Sequence, residues 1–160
     1  IGPAGVTVVI IRDDLVNEDV LPLTPTMLKY ITHVKSGSLY NTPPAYGIYI
    51  CAKVFKWIKS NGGLLAMQEK NAQKAKLLYD FLDDSDLFIG TAKKESRSIM
   101  NVTFTTGDDS LDKRIISLAQ ENGLVNLKGH RSVGGLRASI YNAMPIEGVR
   151  ALVDFLSLCG

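Results

Sequence analysis

The chain is short of several things around which a protein can be built. Its two cysteines, Cys51 and Cys159, lie far apart, with no C-x-x-C or Cys/His spacing to suggest zinc or a redox dithiol. Its longest apolar run, Gly5–Ile11 (GVTVVII), is far too short to span a bilayer, and no charged segment precedes it as in a signal peptide. Neither G-x-x-x-x-G-K-[ST] nor G-x-G-x-x-G occurs, which removes the two common phosphate-cradling routes to a nucleotide. Charge of either sign is barely in excess: 18 Lys and Arg against 16 Asp and Glu leave +2, too little for a protein held by nucleic-acid phosphates. There are no internal repeats and no low-complexity tracts. What remains is an ordinary globular composition over 160 residues, 46% hydrophobic and 21% charged, enough for a core in one large domain or parts of two. A reduced cytosolic protein, without metal, membrane or nucleic acid, is the expectation. The opening IGPAG has no initiator methionine and runs straight into β-rich sequence, so the chain is expected to be cut from a longer one.

The periodicities outline the fold. Val6–Ile11 is β-branched and apolar on both faces, which predicts a strand covered on both sides. A polar, proline-punctuated connection follows, in which His33 has no ligand-spaced partner and reads as solvated. Asn41 and Thr42 suit a helix cap and Pro43 a first helical position, before Tyr46, Ile50, Val54, Trp57 and Ile58 at helical spacing. Gly62-Gly63 stops that helix. A second is predicted over Leu64–Leu82, with Leu65, Ala72, Ala75, Leu78, Tyr79 and Leu82 inward and Lys70, Lys74 and Asp80 toward water. Strands are predicted at Leu87–Ile89, through Met100, Val102 and Phe104, at Leu124–Leu127 and at Leu136–Tyr141. Helices are predicted over Leu111–Glu121 and from Pro145 onward. Strand and helix in alternation predict an α/β or α+β unit.

One stretch asks for chemistry. In GHRSVGGLRASIYNAMP (Gly129–Pro145), His130, Arg131 and Arg137 flank Gly134-Gly135. A glycine-permitted reversal could bring both guanidiniums to one pocket, and guanidinium forks match carboxylate and phosphate oxygens. His130 adds a donor, stronger if protonated, which a nearby phosphate favours. A ligand with two anionic ends fits this cluster; a surface turn with solvated arginines is the competing reading. At Asn41-Thr42-Pro43-Pro44 the prolines remove backbone donors from a helix start. An anion there would be held by the Asn41 amide and Thr42 hydroxyl, and plain capping explains the same residues.

Taken together, IGPAG, SLYNTPP, FKWIKSNGG, MNVTF and GLVNLKGHRSVGGLRASIYNAMPIEGVRALVDF resemble the phosphoserine aminotransferases, fold-type I pyridoxal-phosphate enzymes, from Ile1 to about Phe155. The resemblance implies the C-terminal part of a PLP-dependent transferase fold, α/β with an α+β small domain, a mixed sheet packed with helices. It implies that residues 1–61 are the tail of a large cofactor-binding domain and residues 62–160 the small domain. It implies transamination between glutamate and 3-phosphohydroxypyruvate in serine biosynthesis, in a cytoplasmic homodimer. By the same resemblance, His130 and Arg131 hold the substrate phosphate or glutamate's distal carboxylate, and Arg137 the α-carboxylate. Asn41 and Thr42 reach the phosphate of pyridoxal 5'-phosphate in the partner subunit. The family's cofactor lysine lies two residues before the position matching Ile1, so no catalytic residue is assigned here and these residues alone are expected to be inactive. Two other readings stay open: a non-catalytic module that binds phosphorylated small acids, and a truncated folding unit with no activity.

Overall fold

The computed structural model describes residues 1–160, which form two compact units, Ile1–Ser60 and Asn61–Gly160. In the first, the expected strand at Val6–Ile11 does not form. A strand needs a neighbour to take up its N–H and C=O groups, and no other strand exists in this unit. Val8, Val9 and Ile10 are consequently exposed, Ile10 almost fully at 96%. Single 3-10 turns at Asp13–Leu15 and Thr26–Leu28 lead to the short helix α1, Tyr30–Lys35, and then to α2, Ala45–Ser60. His33 is not simply solvated: its Nε2 lies 2.8 Å from the Met27 carbonyl and its ring stands edge-on to Tyr40. Helix α2 begins two residues later than Pro43. It buries Gly47, Cys51 and Ile58, and the Cys51 thiol donates to the Ile1 carbonyl at 3.1 Å. Of the residues at helical spacing, Trp57 is 40% and Tyr46 73% exposed, so the stripe does not all face inward.

The second unit holds the core. Helix α3, Gly63–Asp84, turns one stripe inward: Met67, Asn71, Lys74, Ala75, Leu78, Tyr79 and Leu82. Three expectations change here: Ala72, expected inward, is exposed. Leu65 is 81% exposed, and Lys74, expected in water, is 3% exposed. Strands β1 (Ile89–Gly90), β2 (Asn101–Thr105) and β3 (Leu136–Ser139) make a sheet in the order β1-β2-β3. Helices and sheet together bear out the α/β class, and within these residues the pairing is antiparallel throughout rather than mixed. The reason is local. After β2 the chain crosses through α4, Asp109–Glu121, to Lys128 and then doubles back on itself. Lys128 bridges Leu136, so β3 returns antiparallel between β2 and the Lys128 segment. The expected strand at Leu124–Leu127 does not form; the single bridge lies one residue beyond it, at Lys128.

Alternation along the strands separates two faces. Val102, Phe104, Leu136 and Ala138 are buried, while Asn101, Thr103, Thr105, Arg137 and Ser139 are half-buried on the other side. The apolar face joins Leu78 and Leu82 of α3, Ile115 and Ala119 of α4, and Val149, Leu152 and Leu156 of α5, Ile146–Ser157. All three helices therefore cover one face of the sheet. Phe88 and Phe104 meet edge to face at 5.8 Å in the middle of this core.

Polar contacts fix the joints. Asp108 caps α4, accepting from the N–H of Ser110 at 2.7 Å and of Leu111 at 3.2 Å. Buried Asp112 accepts from the Thr105 hydroxyl and from the N–H and hydroxyl of Thr106, tying the end of β2 to α4. The loop before β2 is anchored on α3 by Arg97, whose guanidinium meets both carboxylate oxygens of Asp83 and stacks 4.4 Å from the Tyr79 ring centroid. Arg97, with Lys94 beside it, holds the Asp83 carboxyl well below the ordinary carboxylate range.

Two outcomes follow for stability. Phe104→Ala removes the centre of the core and is expected to cost about 3–5 kcal/mol in urea denaturation. Because the folded pKa of Asp83 is depressed, its pairing stabilises above the unfolded carboxylate value of about 3.9 and fades as pH falls below it. The gap in stability between the wild type and Asp83→Asn should thus be full at neutral pH and shrink from about pH 4 toward pH 2. Thermal melts across that range measure it, and a gap independent of pH would contradict the pairing.

Candidate functional site

The motif from Gly129 to Ser139 is a hairpin built on glycine. Gly129 donates its N–H to the Gly135 carbonyl at 2.9 Å, and the Gly134 N–H returns to the His130 carbonyl at 2.8 Å. A Cβ on Gly129 would sit 1.9 Å from the Gly134 carbonyl oxygen, so no side chain can occupy that position. Gly135 has φ +67°, and its Cβ would lie 2.8 Å from the Phe104 carbonyl. The close approach of backbone to backbone, rather than a ligand cradle, is what these glycines serve.

His130 and Arg131 stand exposed at the hairpin tip. The Ser132 hydroxyl lies 2.6 Å from His130 Nδ1 and the Ser132 N–H donates to the same nitrogen at 3.3 Å. With a backbone donor on it, Nδ1 serves as an acceptor, which leaves Nε2 as the ring's N–H donor in that tautomer. Ser132 was not singled out in the sequence, although His-x-Ser is a local spacing at which a hydroxyl can reach back.

Arg137 sits on the stem. Its backbone N–H donates to the Leu127 carbonyl at 2.7 Å, which places it roughly 10 Å along the strand from His130 at about 3.3 Å per residue. That span is within the combined reach of the long arginine side chains and the imidazole. The guanidinium is on the face of the sheet away from the helices, and Thr103 is its partner across β2. Hydroxyls and amides share that face. Thr91 and Thr103 share a hydrogen bond of 2.6 Å, and Ser139 and Tyr141 both donate to the Asn101 side-chain oxygen, at 3.3 and 3.2 Å. None of the three strands contains a carboxylate. Arg137 has no salt bridge, and its Nε is buried without a partner. Arg97 also has an unpartnered Nε, but Asp83 takes its other two nitrogens. A cation with no anion of its own, on a polar sheet face, is equipped to receive one from outside.

Asn41 and Thr42 belong to the other unit, before α2. The capping expected of them is absent: the Asn41 amide donates to the Thr42 carbonyl at 3.2 Å, while the carbonyls of Pro43 and Pro44 accept from Ala45 and Ile48. Both side chains are exposed and the Thr42 hydroxyl is unengaged, so an amide donor and a hydroxyl face outward at the positive end of a 16-residue helix. This donor set suits a phosphate group. Elsewhere, no three His, Cys, Asp or Glu side chains lie together in a metal-binding arrangement. No helix is long and apolar enough to cross a membrane.

With this geometry in hand, the chain can be set beside known proteins. The phosphoserine aminotransferase of Lactobacillus helveticus is 56% identical over 156 residues, which is 98% of this chain and 41% of that enzyme. A solved phosphoserine aminotransferase, studied for radiation damage of its Schiff base, superposes with a TM-score of 0.92 at 50% identity, over 99% of this chain and 44% of its own. The pyridoxal-phosphate-bound phosphoserine aminotransferase of Trichomonas vaginalis matches at 41% identity with a TM-score of 0.80, over 86% of this chain and 40% of its own. The chain thus spans less than half the length of the relatives it matches. The model of the aminotransferase class-V family matches residues 1–152, and the chain belongs to that family.

Proposed function

We propose that these residues serve as the C-terminal part of a phosphoserine aminotransferase, which exchanges an amino group between glutamate and 3-phosphohydroxypyruvate in serine biosynthesis. Residues 1–61 are then the tail of the large domain and residues 62–160 the small domain of a cytoplasmic homodimer. The observation that carries the reading is Arg137: a guanidinium without a carboxylate partner, on a sheet face of hydroxyls and amides, beside a hairpin that exposes His130 and Arg131.

The substrates share a pattern, an α-carboxylate at one end and a second anion at the other. Arg137 takes the α-carboxylate through a fork of charge-assisted bonds. His130, through Nε2–H, and Arg131 take the phosphate of 3-phosphohydroxypyruvate or the distal carboxylate of glutamate. Two separated cationic groups select for doubly anionic acids and orient the reacting carbon between them, which is a positioning role rather than proton transfer. Asn41 and Thr42 offer their amide and hydroxyl to the phosphate of pyridoxal 5'-phosphate held by the partner subunit. That cofactor, when bound, supplies the aldehyde and electron sink for amino transfer. None of the lysines in these 160 residues holds the family's cofactor-lysine position, so the segment alone is inactive.

In the full-length protein, Arg137→Gln is expected to lower kcat/KM for 3-phosphohydroxypyruvate roughly tenfold to hundredfold, the worth of a charge-assisted bond of about 1.5–3 kcal/mol. Arg131→Gln should weaken the phosphorylated substrate and glutamate alike and leave cofactor absorbance unchanged. The 160-residue chain, given pyridoxal phosphate and both substrates, should form no phosphoserine. Turnover by the segment, or a full-length Arg137→Gln enzyme with unaltered kinetics, would refute the assignment. Micromolar binding of phosphoserine by the isolated segment, with no transamination by the full-length protein, would favour the binding module instead.

A further inference from the structure

Lys74 is the one ammonium that this fold buries, and it is buried without a carboxylate. The residue is 3% exposed. Its Nζ donates to three backbone carbonyls, Tyr141 at 2.7 Å, Met144 at 3.0 Å and Ile140 at 3.1 Å. All three belong to the six-residue segment, residues 140–145, that joins β3 to α5. One helical turn earlier, buried Asn71 donates its amide to the Asn142 side chain of the same segment at 2.7 Å. Desolvation pulls the lysine below its usual pKa. Yet three carbonyls need three N–H donors, which only the ammonium form supplies. A residue serving only to fill the α3 stripe would be apolar, as Ala75 and Leu78 beside it are.

From this tripod we infer that Lys74 is a positioning residue for Arg137; the inference rests on the assignment of Arg137 to the substrate carboxylate. Lys74 grips the backbone from one residue beyond β3, on the helix-covered side. From the other strand, the Ile140 N–H donates to the Met100 carbonyl at 2.9 Å, and Tyr141 reaches Asn101. The end of β3 is therefore clamped from α3 and from β2 together, three residues after Arg137. Since side chains alternate along a strand, any slip or fraying of β3 at this end rotates Arg137 off the polar face. The α3 lysine thus sets the aim of a guanidinium it does not touch.

The charged and titratable groups facing this joint are few. Lys70 on α3 and Glu147 in the first turn of α5 border the same shallow cavity, and neither is bonded to Lys74. Tyr141 contributes its carbonyl to Lys74 and its hydroxyl to Asn101.

The test is a double-mutant cycle in the full-length enzyme, with steady-state kinetics and thermal melts on each variant. Lys74→Met keeps the length of the side chain and removes its donors. It is expected to raise KM for 3-phosphohydroxypyruvate and for glutamate about tenfold while changing kcat less than threefold. In an Arg137→Gln background the same substitution should add less than a twofold further rise, because the group it aims is already gone. A merely structural lysine would lower stability and add its full kinetic effect in both backgrounds, and that result overturns the inference. If Lys74→Met does not fold, Asn71→Leu loosens the same segment without burying an unpaired donor. A KM rise in Asn71→Leu that vanishes in the Arg137→Gln background supports the clamp, and an unchanged KM overturns it. If Arg137→Gln itself leaves KM untouched, the substrate-site assignment falls, and the inference with it. If Arg137→Gln raises KM and neither partner variant does, only the clamp falls.

Discussion

The register of β3 against β2 is the constraint on which the rest depends. Val102 opposite Ala138 and Phe104 opposite Leu136 place four apolar side chains under the helices. The same register puts Thr103 opposite Arg137 on the other face. Because the side-chain period of a strand is two, these are a single choice. A slip by one residue would drive the guanidinium in among Leu78, Phe88 and Leu152 and expose Leu136, with a charge left unpaired in the core. The hydrophobic burial that stabilises the unit is therefore also what aims its free cation.

The hairpin tip obeys a different kind of constraint, one of space between backbones. Gly129 cannot carry a Cβ because the Gly134 carbonyl is already there, and Gly135 lies against the Phe104 carbonyl of β2. The loop is thereby pressed onto the sheet edge, and His130 and Arg131 emerge at a fixed distance from the stem. With a net charge of only +2 on the whole chain, no long-range field gathers anions. Recognition has to be local, made by donors of set direction. The Ser132 contact that leaves His130 Nε2 as the free donor is the kind of detail such a site needs.

Much of this was legible in the sequence where one period dominates. The alternation in MNVTF and LRAS, the helices that become α4 and α5 and the glycine-rich reversal all have local causes, and the structure has them close to where the sequence pattern puts them. Lys74 was misread because a helical wheel sorts residues by polarity. The three carbonyls that make its burial tolerable lie 66 to 70 residues away. Val6–Ile11 was misread for the complementary reason. Its β-branched composition describes a side chain's preference, while a strand exists only where a neighbour takes up its backbone groups. Asn41 and Thr42 lie before α2 as expected, but of the two readings open for them plain capping does not form. The backbone carbonyls of the two prolines take over the first turn and leave the polar side chains outward.

Three cations of the second unit show how charge is sorted by this fold. Arg97 is met by a carboxylate, with its guanidinium over a tyrosine ring, and it joins a loop to α3. Lys74 is met by carbonyls alone, and it joins α3 to the end of β3. Arg137, on β3, is met by nothing charged. The difference is not one of residue type or of exposure, since Arg97 and Arg137 are both partly covered with a buried Nε. It is a difference in whether the chain places an acceptor opposite. Folding gains from satisfying a buried cation, because an unmet one costs more than a met one returns. Where a fold meets two of three and leaves the third on a face of neutral hydroxyls, the missing acceptor is best supplied by a ligand.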